Sequence, residues 1–86
     1  MARESIKSLR KIAEQSGYAH WCDYLYDYCL NGNSLKNICD NMTRRDVLDI
    51  IDVIVSMMLN EHQVCWDKEV LRKMYIYAYN SLSARL

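Results

Sequence analysis

Between residues 47 and 59 apolar side chains recur so densely that, at 100° per residue, they cover about two-thirds of a helix's circumference. The polar strip left over is narrow: Asp49, Asp52, Ser56 and Asn60. Thr43 stands ready as an N-cap, and Asp46 follows at the third helical position, where an acid suits both a capping-box contact and the helix dipole. The pattern predicts a central, mostly buried helix near residues 44–60. Upstream, residues 4–16 set Ile6, Leu9 and Ala13 along one side with Ile12 beside them, and Gly17 supplies a stop. That helix reads as a lid with one apolar stripe. Ser34 opens a short helix whose buried set is Leu35, Ile38 and Cys39. After the connector "NEHQVCW", Asp67 opens a last helix running to about residue 83. Its inner face is Val70, Leu71, Met74, Tyr75, Tyr77, Ala78 and Leu82, with Arg72, Ile76 and Tyr79 outside.

Residues 22–30, "CDYLYDYCL", and 75–79, "YIYAY", place a tyrosine at every second position, the period of a strand. As a strand, the first stretch would mix Asp23 and Asp27 with Trp21, Leu25 and Cys29 on one face. As a helix it puts Tyr18, Trp21, Cys22, Leu25, Tyr28 and Cys29 on one side and His20, Asp23 and Asp27 on the other. Tyr24 and Tyr26 fall at the borders. The helix segregates charge from core, and "NGN" at 31–33 ends it. The expectation is an all-α compact bundle of about five helices, one of them short, in a single domain spanning residues 1–86.

Composition narrows the function classes. Eleven Lys and Arg balance eleven Asp and Glu, so the bulk attraction to phosphate on which most nucleic-acid binders rely is absent. Neither nucleic acid nor an anionic membrane is the expected partner. The balance is uneven along the chain, basic over the first 20 residues and acidic through residues 21–52, which suits complementarity between packed helices. Cys22, Cys29, Cys39 and Cys65 form no CxxC pair; they read as reduced, small hydrophobes in a cytoplasmic protein. No apolar run reaches the length of a membrane span, and no signal-peptide pattern opens the chain.

Several constellations compete with this plain reading. "SLKNICDNMTRRDVLDII" has the outline of a helix-turn-helix, but its turn lacks a glycine and the second helix exposes Asp46, Asp49 and Asp52, which repel phosphate. A DNA-binding regulator using residues 34–51 is the alternative function. Arg44 and Arg45 stand at a helix start, where the dipole disfavours cations. They either hold an anion or acidic partner group, or Arg45 simply pairs with Asp49 one turn on. His20, Cys22, His62 and Cys65 are zinc-ligand types, but a helix carrying both His20 and Cys22 sets them on opposite sides, so no metal is expected. No glycine-rich phosphate loop or paired nucleophile and base is visible, so neither catalysis nor a cofactor is expected.

The aromatic content remains. Trp21, Tyr28, Met58, Met74 and Tyr75 read as packing residues. Tyr24, Tyr26, Ile76 and Tyr79 lie at borders or outside, and with Arg72 they have the residue types found at interface centres. The expected function is a small non-catalytic protein-binding module of the adaptor, co-regulator or inhibitor type. It acts through Tyr24, Tyr26, Arg72, Ile76 and Tyr79 with Arg44 and Arg45, on a protein partner that is either another protein or a second copy of itself, as a homodimer.

Overall fold

A computed structural model of the protein describes residues 5–59 and 66–84. Among them are five helices and no strand: α1 (Ile6–Gln15), α2 (Trp21–Leu30), α3 (Lys36–Cys39), α4 (Arg44–Leu59) and α5 (Lys68–Ser83). Residues 60–65, most of the expected connector with His62 and Cys65, lie outside the described residues.

The helix ends follow from local chemistry. Ser5 and Ser8 form a reciprocal capping box at α1, satisfying two of the donors that a helix start leaves open. Both of the chain's glycines sit just past a helix with positive φ, Gly17 at 86° and Gly32 at 90°. In each case the residue after the glycine reaches back five positions, Tyr18 N–H to the Ala13 carbonyl and Asn33 N–H to the Tyr28 carbonyl. These are Schellman closures, and a side chain would be strained at either glycine. Thr43 Oγ1 accepts the Asp46 N–H at 3.2 Å and Asp67 Oδ1 accepts the Glu69 N–H at 2.9 Å, so both expected caps form. At α3 the Ser34 hydroxyl accepts the Lys36 N–H at 3.3 Å.

One core joins all five helices. It holds Leu9 and Ala13 of α1, Trp21, Leu25 and Cys29 of α2, Leu35, Cys39 and Met42 around α3, and Val47, Ile50, Ile54 and Met57 of α4. Val70, Leu71, Met74 and Ala78 of α5 complete it. Each large side chain so buried contributes about 1.5–3 kcal/mol of transfer free energy.

The bundle is the expected one, but its hub is α5 rather than α4. Helix α5 packs against α4, α2 and α3, while α1 packs on α2. Helix α4 therefore buries one face instead of most of its circumference. Leu48, Val55, Met58 and Leu59 remain exposed, and Ile51 is half-buried. The reason is arithmetical: a helix with one main neighbour can cover only one apolar stripe, and this sequence carries two.

Candidate functional site

The outer face of α5 carries the residues expected there. Ile76 is 44% and Tyr79 52% exposed. Arg72 is exposed too, with only a 3.8 Å contact to Glu69 on the same helix. Tyr75, expected in the core, stands 36% exposed and stacks on Tyr79 at 6.2 Å between ring centroids, nearly parallel. The helix turns by 400° between these positions, so the two rings lie one above the other on one flank. Four side chains thus give this face an apolar, aromatic and cationic character.

Tyr24 and Tyr26 do not join it as free groups. Tyr24 is half-buried in an aromatic run, 5.7 Å from Tyr18 and 6.3 Å from Tyr28. Tyr26 faces Trp66 at 4.6 Å, and its hydroxyl accepts the Asp67 N–H at 2.8 Å. It ties the end of the connector to α2 just where α5 starts.

Arg44 and Arg45 are both exposed at the start of α4. The Arg45–Asp49 pairing expected one turn apart does not form. Among the described residues the ion pairs are Lys36–Asp40 at 2.8 Å and Arg72–Glu69. An exposed i,i+4 pair is worth only a few tenths of a kcal/mol, too little to order two solvated side chains.

The sequence reading missed a second surface. Leu48 (43% exposed), Ile51, Val55 (37%) and Met58 (39%) line one flank of α4 at spacings of three, four and three residues, with Leu59 (77%) beside them. Met58 was expected in the core; the stripe one residue back, Val47, Ile50, Ile54 and Met57, occupies that place. Spacing alone does not tell the two stripes apart.

A third feature is a cleft of about 390 Å³ between α1 and the start of α2, lined by Arg10, Ala13, Glu14, Tyr18, Ala19, His20 and Trp21. His20 is not in the helix; it is the N-cap of α2, with extended backbone. That geometry swings its ring over the first turn, where Nδ1 accepts the Cys22 N–H at 3.1 Å and lies 3.0 Å from Cys22 Sγ. Because Nδ1 accepts the N–H, the thiol is the donor in the second contact. The expected separation of His20 from Cys22 is therefore corrected. Burial first, and then the neighbouring Asp23 carboxylate, push the Cys22 thiol up from its ordinary value, so the sulfur is held as a neutral thiol. Among the described residues no three His, Cys, Asp or Glu side chains converge as metal ligands would.

No helix among the described residues is long and apolar enough to cross a membrane. No family model matches this chain, and no curated protein or solved structure matches it either.

Proposed function

We propose that this chain is a small, non-catalytic protein-binding module that docks through the outer faces of α5 and α4. The observation that carries this reading is the exposure of large apolar side chains on both helices, Tyr75, Ile76 and Tyr79 on one and Leu48, Val55, Met58 and Leu59 on the other. Scattered apolar residues are ordinary at a protein surface, whereas aligned ones edged by arginine have the make-up of interface centres. Arg72 edges the α5 face, and Arg44 and Arg45 edge that of α4. An adaptor, a co-regulator and an inhibitor all act by docking of this kind.

The DNA-binding alternative draws on the α3–α4 corner. Against it stand the exposed carboxylates of Asp49 and Asp52 on the helix that would enter the groove, and the four-residue length of α3.

The test is Ile76→Glu combined with Tyr79→Ser. Both positions face water, so the helical circular dichroism should be unchanged while capture of partner protein from the source cell is lost. Unchanged capture by a folded double variant overturns the assignment of α5.

A further inference from the structure

We infer that the partner which covers α4 is a second copy of this chain, paired antiparallel about a two-fold axis at the level between Asp49 and Ile50, with Arg45 of each copy against Asp52 of the other. The inference rests on the protein-binding reading and names its partner.

Leu48, Ile51, Val55 and Met58 occupy successive a and d positions of two heptads, an arc of about 80° on a regular helix. The core stripe lies on one side of this arc. On the other, within about 60° of Leu48, stand Arg45 and Asp52. These two are one heptad apart, so they share a rotational position and are separated by about 10.5 Å along the axis. Both are exposed and neither makes an ion pair among the described residues. Opposite charges at one rotational position, spaced by a heptad, are self-complementary under a two-fold rotation. Each arginine meets the other copy's aspartate, and the contact repeats by symmetry.

The register follows from charge. Pairing centred near Val53 would match all four apolar layers but set Asp52 directly against its own symmetry mate, a like-charge contact that disfavours association. A parallel pairing leaves both charges without a partner. Sliding the antiparallel pair by one heptad keeps Leu48 against Ile51 in both directions, lays Val55 on the aliphatic stem of Arg44, and forms two Arg45–Asp52 pairs. Arg44 lies in the same arc as the stripe, which gives this cation an apolar surface to cover while its head reaches water. The formal net charge of zero leaves no long-range repulsion between copies.

Charge exchange tests the contact. Wild type should sediment as a dimer. Arg45→Asp and Asp52→Arg, each alone, should weaken self-association by at least about tenfold, since each places like charges face to face. Mixing the two variants should restore a one-to-one heterodimer, because one then carries two aspartates and the other two arginines. The doubly exchanged chain should dimerise again. A wild type that stays monomeric, single variants that still dimerise, or a mixture that stays monomeric would each overturn the inference. Circular dichroism verifies that every variant is folded. The Ile76→Glu, Tyr79→Ser variant separates the two readings. Loss of charge-swap dimerisation with intact capture of another protein through α5 refutes only the self-pairing, and intact dimerisation with no α5 partner refutes only the docking role of α5.

Discussion

Cys29 is 6% exposed on the inner side of α2, and burial pushes its thiol up to about 11 from the ordinary 9.0, a hydrogen bond from the Leu35 backbone offsetting part of the rise. The folded chain holds a proton that the unfolded chain releases near pH 9, so the contribution of this group to stability is complete below that pH. It is lost as pH climbs toward about 11. Cys29→Ala should therefore lower the urea midpoint below pH 9, through the small cavity left, yet show a shallower decline than wild type between pH 9 and 11. Equal slopes in the two proteins would show that the thiol is not protected. At this scale, partner atoms were the least legible part of the chain. That Cys29 is a small buried hydrophobe follows from its place in the α2 pattern. That His20 caps α2 and leans on Cys22 does not, because the contact depends on His20 having left helical backbone geometry, and boundaries are set by capping competition that periodicity does not register.

Helix α4 illustrates what an element's sequence leaves open. It carries two stripes at heptad spacing, Val47, Ile50, Ile54, Met57 and Leu48, Ile51, Val55, Met58, offset by one residue. Hydrophobicity nominates both, and only the position of α5 decides that the first is buried. The expectation of a mostly buried helix followed from counting both as core. By contrast the buried face of α2, Trp21, Leu25 and Cys29, was legible, because Asp23 and Asp27 mark its other side and leave one way to orient it. On α5 the outer residues Arg72, Ile76 and Tyr79 were legible for the same reason, with Tyr75 misplaced by one step at the border. The stripes make opposite forecasts for two neighbouring isoleucines. Ile54 is 1% exposed, so Ile54→Asp buries an unpaired carboxylate at a cost of at least about 4 kcal/mol and should abolish the folded state. Ile51, half-buried on the flank, can turn an aspartate toward water and should lose about 1 kcal/mol. Urea unfolding followed by circular dichroism separates the cases, and equal loss in both would mean that the flank is part of the core.

At the scale of the whole molecule, an 86-residue chain buries a smaller share of its surface than a larger domain, so its net stability is a small remainder and single ties between distant segments matter. Two such ties span 41 residues each: Tyr26 to Asp67, and Ser81 to Asp40. The second joins the last turn of α5 to the end of α3. Ser81 is fully buried, and its hydroxyl donates to Asp40 Oδ1 at 2.6 Å, while the other carboxylate oxygen takes Lys36 at 2.8 Å. A hydrogen bond to a carboxylate is among the stronger neutral-to-charged contacts, but Asp40 is open enough to rehydrate when its partner is removed. Ser81→Ala nearly conserves volume, so the loss reports the removal of the hydroxyl rather than of packing, at about 1.5 kcal/mol. For a domain of this size it should lower the melting temperature by roughly 6–12 °C. Lys36→Ala, removing only the exposed partner of the same carboxylate, should shift melting far less because surface ion pairs contribute little. Hydrogen exchange adds a spatial check: α3 is four residues long and packs chiefly on α5, so its amides should lose protection first in Ser81→Ala. Faster exchange in α3 with no change in melting would make the tie a local clamp rather than a support of the whole fold, and no change in either would remove the hydroxyl from the account of what holds α3 against the bundle.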